Sequence, residues 1–436
     1  MFESIISIDE YRQRRQRLRD RITPASALVM GAPAPDDRAP FRQYNEFCYL
    51  CGVLVPQSYL FIDGRDGKTT LFLPGSAHQS RERNDKLLFA DDPETAMAVT
   101  GVDAVSHREQ LAGALAGGQE LYILLHDGEG LQCDVRSITD ARRQSADDPW
   151  DGRPDRGTYL AEKLRRACPG ISLHDLAPVL LEMRLIKSPT EIDLLREAGR
   201  LAAEGVRDAM RATKPGVMEY ELAALLQYRY LAGGALDYSY APIVAAGKNI
   251  VDPHYCANRC ELRNGDLVLV DCAPDYHYYT SDITRIWPVN GVYTEEQRTL
   301  YGFVTEYHKA LLAAIRPGRT CADIEDEVAA HMETRLGEFQ FATPAQYAAV
   351  QRMLQSRNHI AHSVGMSVHD GLGHKTGPLQ PGMVFAVDPQ LWLKEENLYI
   401  RVEDTGVVTE SGFDVFTADI TLDLDEIEMI CEGVKA

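Results

Sequence analysis

Apolar residues at 192, 195, 202, 206 and 210 (Ile, Leu, Ala, Val and Met) recur at helical spacing. They follow Ser188-Pro189-Thr190-Glu191, a capping box with proline in the first helical position. Lys214-Pro-Gly216 stops this helix, and a second is predicted over about 219–232. The same phrase returns a hundred residues later. Thr294-Glu-Glu-Gln297 caps a helix running to Ile315, Arg316-Pro-Gly318 ends it, and another helix starts near Asp323. Each helix pair gives way to a glycine turn feeding a short apolar strand that ends on a carboxylate: Gly265-Asp-Leu-Val-Leu-Val-Asp271, then Gly382-Met-Val-Phe-Ala-Val-Asp388. An amphipathic stretch at 343–356 reads as an insertion in the second copy. The pattern predicts a diverged internal duplication, folded as a pseudo-twofold α/β domain with its sheet inside and helices outside.

Upstream, residues 1–178 read as a smaller α/β domain, leaving 179–436 for the duplicated one. A charged helix is expected around 8–20. Strand-like runs follow at Ala27–Gly31, Phe47–Cys51, Tyr59–Ile62, Thr70–Leu73 and Leu121–Leu125, separated by Gly, Pro and Asp turns. Residues 134–157, rich in Arg, Asp, Pro and Gly, are expected to form an exposed loop. No titratable cluster in this part suggests chemistry.

The chain of 436 residues carries 45 basic and 65 acidic side chains, a net charge of −20. That balance argues against nucleic acid or an anionic membrane as a partner, since both require a basic face. No charged-then-apolar leader opens the sequence, and no apolar run approaches the ~20 residues that span a bilayer. A cytoplasmic location is expected. Nine cysteines show no paired framework, and Cys48-Tyr-Leu-Cys51 has no second half to complete a zinc site. Reduced structural thiols are the better reading.

A buried strand has no use for an acid at its end unless something positive waits there. Histidines precede the two strand-end acids (His254, His369), and a second acid follows each (Asp282, Glu403). The hairpin Cys272–Ser281 would return Asp282 to Asp271. His362 lies seven residues before His369 on chain expected to be extended, and strand alternation puts Arg401 and Glu403 on one face. Each residue alone has an ordinary reading as a turn former, cap or salt-bridge partner. Their repeat-related placement points to a metal site.

Residues 185–425 resemble the catalytic domain of the aminopeptidase P and proline dipeptidase group, the "pita-bread" fold shared with methionine aminopeptidase. The matching motifs are Val268-Leu-Val-Asp-Cys272, Ser281-Asp-Ile-Thr-Arg-Ile-Trp-Pro-Val-Asn-Gly291, His362-Ser-Val-Gly-Met-Ser-Val-His-Asp370 and Ile400-Arg-Val-Glu-Asp404. Phe41-Arg-Gln-Tyr-Asn-Glu-Phe-Cys-Tyr-Leu-Cys-Gly52 resembles the group's creatinase-like first domain. The resemblance implies two divalent metal ions, Mn before Co, Zn or Fe, held by Asp271, Asp282, His362, Asp388 and Glu403, with Asp282 and Glu403 bridging. It implies that His254 and His369 hold substrate and stabilise a tetrahedral intermediate, that Arg401 supports a ligand or binds substrate, and that Asp388 is the general base. His359 and Trp392 are further candidates for the substrate pocket. The expected substrate is a peptide with proline in second position, cleaved by an Xaa-Pro aminopeptidase acting as a homodimer or homotetramer. An Xaa-Pro dipeptidase, or a metal-dependent small-molecule hydrolase or lyase, is the alternative.

Two segments depart from the group's pattern. Where the group has Val-Glu-Pro-Gly before a Tyr, this chain has Val387-Asp388-Pro389-Gln390-Leu391-Trp392. The acid is one methylene shorter, about 1.5 Å, and Gln390 and Trp392 reshape the pocket beside it. Asn358-His359-Ile-Ala361 replaces the group's His-Gly-Leu-Ser.

Overall fold

The structure is a computed structural model describing residues 5–35, 40–76, 88–115, 120–130, 134–371 and 373–433. The chain divides into two compact units between Arg184 and Leu185. The division falls six residues beyond the expected boundary, at the last turn of the helix Ala177–Leu185, which runs across position 178.

The first unit is built on a six-stranded mixed sheet in the order β4-β3-β2-β1-β5-β6. Its strands are β1 (Ser26–Met30), β2 (Tyr59–Ile62), β3 (Thr69–Leu73), β4 (Ala104–His107), β5 (Glu120–Ile123) and β6 (Ser172–Asp175). The helix expected near 8–20 spans Ile8–Ile22, capped by the Ser7 side chain. Two expectations fail here. Residues 47–51, read as a strand, lie in a helix (Asn45–Cys51) whose seven residues are all buried. A short apolar run carries no period to separate helix from strand when every face is covered. Gly52, at φ +65°, closes that helix in the left-handed region, and a Cβ there would collide with the Tyr11 ring. The supposed loop at 134–157 contains a helix, Val135–Asp147, opened by an Asp134–Ser137 capping box that composition alone conceals.

Buried in this unit, both Glu46 carboxylate oxygens accept the Glu129 backbone N–H (3.0 and 3.1 Å), while Arg184 pairs with Glu129 Oε2 at 2.5 Å. Burial, then the nearby Glu129 charge, pushes Glu46 up to about 8. A raised carboxyl favours the folded state at low pH, and the advantage is lost as pH rises through the folded value. Thermal melting of wild type should therefore worsen between pH 5 and pH 9 more than that of Glu46→Gln, which keeps the neutral form at all pH. Equal slopes would refute the assignment.

The second unit holds an antiparallel sheet in the order β12-β13-β16-β11-β9-β8, with β17 on β16. Its strands are β8 (Ile243–Ala246), β9 (Leu267–Cys272), β11 (Ile283–Pro288), β12 (Ile360–Ser363), β13 (Val384–Val387), β16 (Glu403–Val408) and β17 (Phe413–Val415). Two small ribbons complete it: β7 (Asp237–Tyr238) with β10 (Pro274–Asp275), and β14 (Gln390–Leu393) with β15 (Leu398–Arg401). The duplication is visible in this order, since β8-β9-β11 mirrors β12-β13-β16 about the β11–β16 seam. Both predicted helix pairs are present, Pro189–Ala212 with Glu219–Ala232 and Glu295–Ala314 with Cys321–Arg335. The turn glycines Gly265 and Gly382 have φ of +90° and +87°, open only to a residue without a Cβ penalty. The insertion is the helix Pro344–Gln355.

The core of this unit includes Trp287, Tyr301, Phe303 and Phe385, all fully buried. Among the described residues no helix is long and apolar enough to cross a membrane. The described cysteines form no disulfides, and Cys48 and Cys51 are buried.

Candidate metal centre

The register of the central sheet brings the acids together. Asp271 on β9 lies opposite Thr284 on β11, and Thr284 lies opposite Glu403 on β16. One step beyond the last β13–β16 pair, Val387 with Asp404, stand Asp388 and Glu403. Opposed residues of an antiparallel ladder share a face, so Asp271, Thr284, Glu403 and Asp388 form one row. Asp282, two residues before Thr284, projects to the same side. The four carboxylates are 1–5% exposed.

His362, on β12, reaches this row with Nε2 3.5 Å from Asp282 Oδ2 and 3.6 Å from Glu403 Oε1. Ligand atoms of Asp282, His362 and Glu403 lie within 4.8 Å of one another. Asp271 and Asp388 stand outside that tight trio, joined to it through Arg401 and a residue the sequence did not flag, Tyr240. Arg401 donates to Asp271 Oδ2, and its Nε is 3.8 Å from Asp388 Oδ1 and 3.9 Å from Glu403 Oε2. The Tyr240 hydroxyl lies 2.5 Å from Asp271 Oδ1 and 2.6 Å from Asp282 Oδ1. It has one proton, so it donates to only one of them at a time. Thr284 Oγ1 donates to Glu403 Oε2 at 3.0 Å.

The electrostatics expose a missing positive charge. Burial, then the Glu403 and Asp271 charges, lifts Asp282 well above the usual carboxylate range. Burial, then Glu403, does the same to Asp388. Asp271 is raised by burial despite the opposing Arg401. Burial also works against an ionised Glu403, but His362 and Arg401 outweigh it and hold this acid below its ordinary value. Four buried carboxylates thus face one guanidinium, and Asp388 Oδ1 has no hydrogen-bond partner. Divalent cations would supply the charge that burial demands. The donor set, four carboxylates and one imidazole, suits a hard or borderline ion and fits the metal centre expected from the sequence.

The other candidates are distributed unevenly. His369 is half-buried, its ring edge-on to His362 with centroids 4.5 Å apart. His254 is exposed on the loop after the short helical turn Gly247–Val251. Trp392 pairs in register with Tyr399, as Gln390 does with Arg401, so these four share a face of the β14–β15 ribbon. The Trp392 ring lies over Tyr399 with centroids 4.2 Å apart and is 36% exposed. His359 needs correction as a substrate residue. It is 3% exposed, its Nε2 is engaged by Ser356 Oγ (3.0 Å) and the Met353 carbonyl (3.1 Å), and its ring packs against Tyr307. Its own carbonyl accepts the Asp388 N–H at 2.7 Å, so it contributes backbone rather than imidazole.

Behind the row, strand alternation turns Asp404 the other way. It accepts from Arg285 (2.8 Å), His308 Nε2 (2.7 Å) and Thr417, all buried. Arg285 also donates to the Glu403 carbonyl at 2.9 Å. A second buried pair, Lys187 with Asp370 at 3.1 Å, sits next in sequence to His369. Tyr240 and His308 had no sequence signal, and Gln390 was marked there only as reshaping the pocket beside Asp388. Thr284 and Arg285 could have been found from the strand register with Asp271.

Known proteins resemble this chain over most of its length. The family model for metallopeptidase family M24 matches residues 193–410, and that for the aminopeptidase P N-terminal domain matches 11–120. The chain is 32% identical to an Escherichia coli Xaa-Pro aminopeptidase, covering 99% of each, and 29% identical to mouse Xaa-Pro aminopeptidase 3, covering 90% of this chain and 77% of the relative. A solved structure of zinc-substituted E. coli aminopeptidase P in complex with product superposes with a TM-score of 0.77 at 30% identity, covering 99% of this chain and all of that one. The sheet register that gathers the acids and the family match agree: this chain is a pita-bread metallopeptidase and belongs to family M24.

Proposed function

We propose that the protein is an Xaa-Pro aminopeptidase that releases the residue preceding a proline, using two divalent ions, Mn2+ first among them. The observation that carries this reading is the row of four buried carboxylates, with His362, facing a single guanidinium. The similarity to Xaa-Pro aminopeptidases over nearly the whole chain supports the substrate class. Asp271, Asp282, His362, Asp388 and Glu403 would hold the ions, which when bound supply Lewis acidity and lower the pKa of water. Tyr240 and Thr284 orient the carboxylates, each by one hydroxyl. Asp388 would also serve as the base toward the attacking water. His369 and His254 donate to the substrate carbonyl as negative charge develops. Trp392 offers an aromatic wall to the proline ring. A homodimer or homotetramer in the cytoplasm completes the proposal.

Metal-depleted enzyme reloaded with Mn2+ and offered an Xaa-Pro dipeptide, an Xaa-Pro-Xaa tripeptide and a longer peptide tests it, with products identified by mass spectrometry. Cleavage of the longer peptides supports the aminopeptidase; cleavage of the dipeptide alone makes the enzyme a dipeptidase. Metal uptake without cleavage would point to a small-molecule substrate.

Asp388→Glu lengthens the acid by one methylene in a space already occupied by Gln390. Catalytic groups tolerate about 0.5 Å of displacement, so turnover should fall by about tenfold or more while metal is retained. A gain in turnover would show that the short acid is a compromise.

A further inference from the structure

Asp388 is held in an unequal way. Its Oδ2 accepts the Gln390 amide N–H at 2.5 Å, while its Oδ1 has no hydrogen-bond donor and the nearest cation, Arg401 Nε, is 3.8 Å away. Residues two apart in extended chain share a face, and Pro389 between them restricts the backbone step. The Asp388 N–H is anchored to the His359 carbonyl, and Gln390 starts β14 opposite Arg401 in the β14–β15 ribbon, so both ends of this contact are held by backbone pairing. The donor is a neutral amide. It occupies one carboxylate oxygen without adding positive charge, so the attraction of the site for a cation is undiminished.

We propose that Gln390 is a positioning residue that holds Oδ2 of Asp388 and thereby presents Oδ1 alone as a single-oxygen metal ligand. A shorter acid has fewer ways to reach an ion, and fixing its rotamer recovers part of what its length forfeits. The inference rests on the reading of Asp388 as a ligand in the dinuclear centre. Partners that orient metal ligands commonly contribute 10–100-fold in metal affinity.

The test is calorimetric titration of Mn2+ into metal-depleted wild type, Gln390→Ala, Gln390→Met, Asp388→Ala and the Gln390→Ala/Asp388→Ala double variant. Visible spectra of the Co2+-loaded forms are recorded alongside. Both Gln390 variants should raise the Kd of one ion by about 10–100-fold and change the Co2+ band intensities as Asp388 becomes free to turn. In the Asp388→Ala background the Gln390→Ala change should have no further effect. Unchanged affinities would overturn the inference, and so would an equal loss with and without Asp388, since Gln390 would then act elsewhere. A wild type that takes a single ion would sink the two-ion reading but leave Gln390 to be judged on that ion's affinity. A wild type that binds no Mn2+ overturns both.

Discussion

Glu403→Ala is expected to empty the metal centre and reduce peptidase turnover by more than 100-fold, beyond the effect typical of residues that merely orient ligands. Glu403 sits at the centre of the row, reached by His362, Thr284 and Arg401, and it is the acid most firmly kept ionised. No other side chain can take its place, because Asp282 and Asp388 are already members of the set. Metal content by plasma mass spectrometry and turnover on an Xaa-Pro peptide should fall together. Full metal content with normal activity would refute the centre; a collapse in stability would show that Glu403 is mainly structural.

The second large effect is on stability. Asp404→Ala should lower the unfolding free energy by about 3–5 kcal/mol, the range for breaking a buried ion pair from one side. Arg285 is 1% exposed, and without Asp404 its guanidinium keeps only carbonyl oxygens as partners. Asp404→Asn, which retains some hydrogen bonding, should lose less. Burial opposes ionisation of Asp404, but Arg285 and His308 overcome it and hold the acid below its usual value. Its contribution is therefore complete above the unfolded carboxyl pKa of about 3.9 and fades as pH falls through the lower folded value. Urea denaturation at pH 7 and pH 3.5 should show the gap between wild type and Asp404→Asn narrowing in acid. A gap independent of pH would assign the loss to packing. Because Arg285 also holds the Glu403 carbonyl, Asp404→Ala should loosen the metal centre from behind.

The two regions misread from sequence have a common physical reason. In Phe47–Cys51 the side chains looked β-like, but burial on all sides removed the alternation that distinguishes a strand. In 134–157 the charged composition suggested a loop, whereas a capping box and one buried isoleucine, Ile138, suffice for a surface helix. Helices with a one-sided apolar stripe and explicit caps, such as Pro189–Ala212, were legible to the residue at their N-termini.

The five candidate ligands were named by resemblance to a known family, whereas the sequence by itself determined the duplication, its helix breaks and the glycine turns that feed both acid-bearing strands. All of these are local: caps, Pro-Gly breaks and strand periods act over a few residues. Tertiary structure alone decided the rest, because it depends on which strands meet. The β11–β16 seam puts Thr284 between Asp271 and Glu403. The fold brings the Tyr240 hydroxyl between two aspartates, and pairs Arg285 with an acid 119 residues away. Placement separated His362, a partly exposed ring that reaches the carboxylates, from His359, a buried ring spent on a helix carbonyl. Spacing can say that acids lie at strand ends; only the register of strands distant in sequence says which of them share one charge.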